Sequence, residues 1–192
     1  MNRYLVRVKK PNCISFEDAE KVLKEIRKVL KEKGKDVKVG NLRVSTYAIE
    51  FDIFIMGIKE SELANLLPKP YNEILTLRKL NESLNLSKKQ VFILAKNLFN
   101  QERYWEVHEV LEEVWKKEKG NKKALLQGLI LVASALVHYQ RNEKEVGISM
   151  LKRALEKLNN SSYGKEYEFD IEKIRGEIKK IVREKKVKFF RI

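Results

Sequence analysis

A chain of 192 residues has room for one large domain or two small ones, and at 43% hydrophobic it can bury a sizeable core. Its 41 Lys and Arg against 27 Asp and Glu leave a net charge of +14, which excludes an acidic disordered chain and makes a polyanionic partner worth considering. Lys and Glu are abundant while Gln is scarce, a bias associated with hyperthermophiles. The lone cysteine, Cys13, excludes an intramolecular disulfide and points to a reducing, cytoplasmic location. Residues 1–7 lack the long apolar run of a signal peptide. The longest apolar stretch, residues 124–137, is interrupted by Gln127, Gly128 and Ser134. A bilayer span needs about 20 residues, so no membrane partner is expected.

Residues 1–80 mix strand and helix periods. Tyr4, Val6 and Val8 alternate with Arg3, Arg7 and Lys9, which predicts a half-buried strand closed by Pro11 and Asn12. Ser15 with Asp18 resembles a capping box. It opens a helix whose stripe is Phe16, Ala19, Val22, Leu23, Ile26, Val29 and Leu30, with Gly34 as the stop. Two β-rich runs, residues 37–45 and 47–55, are close enough to pair antiparallel. A short helix over residues 59–67 ends before Pro68, and residues 74–80 suggest a last strand. The order β-α-β-β-α-β predicts a ferredoxin-like split βαβ module over residues 1–82. That topology hosts many functions and decides none.

Beyond residue 86 the period is helical. Ser87 and Gln90 form a second capping box, and helices are expected near residues 88–99, 101–118, 122–141, 143–158 and 170–186. A loop is expected over residues 159–164. The expectation is an α+β chain in which an all-helical bundle, residues 86–192, follows the split βαβ module.

The second of these helices carries a chemical pattern. With each residue advancing about 100°, Tyr104, Val107, Val110, Leu111, Val114 and Trp115 share an apolar arc of about 140°. His108 and Glu112, four apart, stack on the edge of that arc, while Glu109 and Glu113 point toward solvent. A His and a carboxylate at this spacing can share a divalent metal, or the carboxylate can orient the imidazole as an acid or base. The metalloprotease HExxH pattern is absent, because position 112 is Glu. The next helix is apolar nearly all round, with Gln127, Ser134 and His138 on a stripe of small residues. An antiparallel turn at Lys119, Gly120 and Asn121 would set Glu112 beside Gln127, and His108 between Leu131 and Ser134. His138 would lie about 9 Å further along the axis, in an outer position. His108 and Glu112 are thus candidate metal ligands, with Trp115 as a wall and Gln127, Ser134 and His138 in support. A polar network that only sets helix register is the competing explanation.

These residues also carry a resemblance. Leu98-Phe99-Asn100, then residues 104–115 with His108, Glu112 and Trp115 as HxxxExxW, then Leu126-Gln127-Gly128-Leu129-Ile130, resemble the small helical family called domain of unknown function 309. Ala135 to Tyr139, and Gly147 before Leu151, are similar to it as well. The resemblance covers about residues 88–160. It implies an all-helical bundle and a suggested metal-binding role for the motif, with no established activity.

The charge is concentrated at the end of the chain. Residues 173–192 hold nine basic and two acidic side chains. Lys179, Lys180, Arg183 and Lys186, with Phe189 and Phe190 nearby, form a candidate nucleic-acid surface that would hold phosphates and stack bases. A membrane-surface helix is disfavoured by the slight bulk of its apolar face. Nucleic acid and a second copy of the chain are therefore the partners to consider.

Overall fold

The alternation at the start of the chain folds as β1 (Asn2–Lys9), with Tyr4, Val6 and Val8 buried. The structure, a computed structural model, describes residues 2–33, 37–55, 60–80, 85–159, 165–166 and 169–192. The predicted stop at Gly34, residues 81–84 of the predicted junction and residues 160–164 of the predicted loop lie outside the described residues. The chain divides into two compact units, chiefly residues 1–84 and chiefly residues 85–192.

In the first unit, the Ser15–Asp18 box forms. The Ser15 amide donates to Asp18 Oδ2 at 2.8 Å, and a short 3₁₀ turn at Phe16–Asp18 leads into α1 (Ala19–Glu32). α1 buries Ala19, Val22, Ile26 and Leu30, the 3–4 spacing that one helical face requires. The two β-rich runs become β2 (Val37–Val44) and β3 (Ala48–Ile55). The predicted helix at 59–67 is shorter than expected. A 3₁₀ turn at Glu60–Glu62 precedes a single turn, α2 (Leu63–Leu66), before Pro68. β4 (Ile74–Lys79) closes the sheet. Its order is β2-β3-β1-β4 with every neighbouring pair antiparallel, so β1 and β2 run the same way with β3 between them.

The second face of this sheet is a surprise. Alternate residues of β3 beside Ile49, Phe51 and Ile53 are Glu50 and Asp52, and both are buried. Arg43, directly across from Glu50 in the β2 register, is buried with them. A bulge between Gly40 and Arg43, with Asn41 at φ 52°, turns the Asn41 side chain onto Asp52. Residues of β2 and β3 that a period of two assigns to the polar side therefore form a buried ionic network.

Tyr71 links the segment before β4 back to α1. Its hydroxyl donates to Glu25 Oε2 at 3.1 Å. Burial, then this bond, push the phenol from 10.0 up to about 12. Because the folded value lies above the unfolded one, this contribution is fully present below pH 10 and is lost as pH rises through 12. Tyr71→Phe is expected to flatten the fall in stability between those two pH values. Denaturation midpoints at pH 9 and pH 11.5 measure it, and an unchanged fall would contradict it.

The second unit is built on α3 (Lys88–Asn100), α4 (Tyr104–Trp115), α5 (Gly120–Gln140), α6 (Lys144–Asn159) and α7 (Ile171–Glu184). The Ser87–Gln90 box starts α3, with the Ser87 amide donating to Gln90 Oε1 at 2.9 Å. All five helices contribute to one core, which includes Phe92, Leu111, Leu129, Leu151 and Ile178. It is not wholly helical as expected, because β5 (Lys165–Glu166) and β6 (Phe169–Asp170) form a two-residue ribbon before α7. Phe169 in that ribbon is buried and meets Phe92 edge-on at 6.3 Å. Among the described residues, no helix is long and apolar enough to cross a membrane.

After α7 the chain turns at Lys185, in the left-handed region at φ 50°, and folds back. Val187 is buried. Phe189 packs on Tyr104 at 5.4 Å and on Tyr139 at 5.8 Å, and Phe190 on Phe99 at 5.4 Å. Asn100 clasps the Ile192 backbone from both sides: its Nδ2 donates to the carbonyl at 3.1 Å and its Oδ1 accepts from the amide at 2.9 Å. The two phenylalanines are thus used, half-buried, in packing against the helices.

Candidate metal centre

The rotation of α4 about its axis is set at its first turn and along its buried face. Arg103 forks onto Glu106, with Nε to Oε1 at 2.6 Å and Nη2 to Oε2 at 2.9 Å. Glu106 is buried, and this two-pronged pair satisfies both of its oxygens. Tyr104, Val107, Val110, Leu111 and Val114 then bury one face. Tyr104 sits deep enough for burial to push its phenol well above the ordinary value. With that face committed to the core, His108 and Glu112 fall on its border, as the helical angles predict.

The imidazole and the carboxylate are about one third exposed, His108 at 31% and Glu112 at 36% of their side-chain surface. They open to solvent at the edge of the helix. Glu109, expected to point away, instead brings Oε1 to 3.2 Å from His108 Nδ1. Adjacent residues on a helix do not share a face, but a glutamate has enough rotatable bonds to swing its carboxylate back. One ligand atom each from His108, Glu109 and Glu112 then lie within 4.8 Å of one another, which among the described residues is the group able to hold a cation. The HE dipeptide inside HxxxE was the available signal for Glu109. Ranking positions by angle alone discards it.

The supporting residues are placed differently from the expectation. Gln127 and Ser134 are half-buried on α5, and neither donates a side-chain hydrogen bond to His108 or Glu112 among the described residues. Glu109, rather than Gln127, contacts the imidazole. His138 pairs through Nδ1 with Glu143 at the α5–α6 turn, and neither belongs to the group of three. Trp115 packs against the core, with Lys123 Nζ 4.5 Å from its ring centre. Its buried Nε1 has no hydrogen-bond partner among the described residues.

One cation already leans on the group. Lys116 Nζ is 3.2 Å from Glu113 Oε1 and 3.7 Å from Glu112 Oε2. The Glu113 hydrogen bond, then the Glu112 charge, raise the lysine above its usual range.

The donor set suits a divalent cation of borderline hardness. An imidazole nitrogen and two carboxylate oxygens are ordinary ligands for zinc, and two carboxylates offset the charge of a divalent ion. Two ligands each about 2.2 Å from an ion are at most about 4.4 Å apart. Small torsional changes in three half-exposed side chains close the difference from the 4.8 Å spread. The set has no thiolate, which argues against a soft ion.

Residues 92–150 match the family model described as Domain of unknown function (DUF309). The matched segment is less than half of the chain and includes the whole of α4. No curated protein matches the chain.

Proposed function

We propose that the segment matched by this family of unknown function binds a divalent cation through His108, Glu109 and Glu112 on α4. The observation that carries the reading is the convergence of three ligand atoms within 4.8 Å from one helix whose opposite face is locked into the core. Three protein ligands leave at least one coordination position for water or another small molecule, the ligand count of catalytic rather than structural zinc sites. A bound ion would supply Lewis acidity there. The protein's part is to present the three donors on a rigid helix and, through Lys116, to set the charge that an incoming cation must displace. The same reading keeps the N-terminal unit as a ferredoxin-like domain over residues 1–82, on its strand order, and the helical unit as a domain over residues 86–192. The exposed Cys13 supports a cytoplasmic setting.

The test is elemental analysis and calorimetry on protein purified without a histidine tag, titrated with zinc or manganese chloride. One ion per chain is expected. His108→Ala and Glu112→Gln should each lower affinity at least tenfold, and Lys116→Ala should raise it by removing a competing cation. Absence of binding, or equal affinity in His108→Ala, would refute the site. A lower melting temperature in His108→Ala with no metal effect would leave the cluster as a packing device.

A further inference from the structure

We propose that the exposed face of α7 is a seat for the phosphodiester backbone of a nucleic-acid duplex, with Gly176 at its centre. Ile171, Ile174, Ile178 and Ile181 bury one side of the helix. On the opposite side Lys173, Lys180, Arg183 and Lys179 fall within an arc of about 120°, and Gly176 lies at its middle. All five positions are exposed. Two observations set this face apart from an ordinary charged surface.

The first is that three of its four cations have no carboxylate partner among the described residues. On α1, Lys24 pairs with Glu20 and Lys28 with Glu32, while Lys21 and Lys31 have no carboxylate partner among the described residues. On α7, Lys173, Lys179 and Lys180 have no carboxylate partner among the described residues, nor has Lys186 beyond its end. Glu177 stands one turn from Lys173 and makes no ion pair among the described residues. Glu172 is taken by Arg175, and Arg183 meets only Glu184, at 3.2 Å.

The second is Gly176 itself. Glycine in a helix interior costs about 1 kcal/mol relative to alanine. No backbone angle or packing contact requires it, since a Cβ there would meet nothing within 4 Å. Its effect is a flat place where a strand of phosphates can lie against the helix between flanking cations.

The chemistry favours a duplex over a single strand. Single-strand binders stack bases on open aromatic rings, and Phe189 and Phe190 are engaged with Tyr104, Tyr139 and Phe99. What remains is charge on a rigid rod. From Lys173 to Arg183 is about 15 Å of helix axis, a length over which a duplex presents about nine charges. This inference is independent of the metal reading.

The experiment is binding of the full chain to a 20-base-pair duplex at several salt concentrations, in DNA and RNA arms, with a single strand of equal length as comparison. Four to five phosphate contacts predict a log–log salt slope of about −4 on DNA. Lys179→Ala/Lys180→Ala/Arg183→Ala should cost at least tenfold and bring the slope to about −1. Gly176→Leu should weaken binding at least fivefold, while Gly176→Ala stays within twofold. Circular dichroism of each variant separates these effects from loss of fold. No duplex binding in 50 mM salt, an unaffected triple variant, a tolerated Gly176→Leu, or a preference for the single strand or for phosphatidylserine vesicles would overturn it.

Discussion

Arg43→Ala is expected to destabilise the N-terminal unit by about 3 kcal/mol, because it takes the shared guanidinium from two buried carboxylates. Arg43 is 2% exposed and Asp52 is 0% exposed. The guanidinium donates from Nε to Glu50 Oε1 at 2.9 Å and from Nη2 to Asp52 Oδ1 at 3.1 Å. The other Asp52 oxygen accepts from Arg3 Nη2 at 2.6 Å and Asn41 Nδ2 at 2.7 Å. Removing Arg43 leaves Asp52 with partners on one oxygen only and takes from Glu50 its bond at 2.9 Å. The penalty is the desolvation of charge that has lost one of its partners, which exceeds what the intact network contributes to stability. Arg43→Lys is expected to recover only part of it, since an ammonium cannot reproduce the planar fork that spans both carboxylates. Hydrogen exchange of the β3 amides, with denaturant unfolding followed by circular dichroism, reads the loss. A change below about 1 kcal/mol would mean that the carboxylates are solvated in the variant.

Gly147→Ala and Gly176→Ala make the same chemical change within helices and are expected to move stability in opposite directions. A Cβ at Gly147 in α6 would lie 2.9 Å from the Ala135 carbonyl oxygen of α5. That atom belongs to backbone in the middle of a long helix, so relief requires the two helices to separate. Overpacking of this kind costs about 1–3 kcal/mol, against a propensity gain of about 1 kcal/mol. The net expectation is a loss of up to about 2 kcal/mol. At Gly176 a Cβ meets nothing, so the propensity gain stands alone and stability should rise by about 0.5–1 kcal/mol. Thermal unfolding of the two variants beside the parent decides it. Equal signs would mean that α5 and α6 do not approach as closely as the Gly147 contact requires.

The helices of the second unit were legible because their signals are local. Ser87 and Gln90 satisfy the first-turn amides of α3, and isoleucines at 171, 174, 178 and 181 describe one face of α7. The candidate site was legible in part for the same reason. His108 and Glu112 are one turn apart on a helix whose apolar arc can be drawn from residue numbers. Glu109 was missed because its side chain, rather than its backbone position, brings it to the imidazole. Opposed numbering across a hairpin gives Gln127 an axial level and not the direction of its side chain.

Determined by the sequence alone were the alternation of β1, the stripe of α1, the caps, the periods of five helices and the border position of the His–Glu pair. Each depends on residues within about two turns of one another. The tertiary structure decided what depends on partners distant in the chain. Arg43, Glu50 and Asp52 look like solvent-facing residues of two strands until cross-strand register brings their charges together out of water. Phe189 and Phe190 look available until the turn at Lys185 returns them to Phe99 and Tyr104. Glycines 147 and 176 are indistinguishable as letters. Only the neighbouring backbone of α5, or its absence, gives one of them a steric reason to lack a side chain.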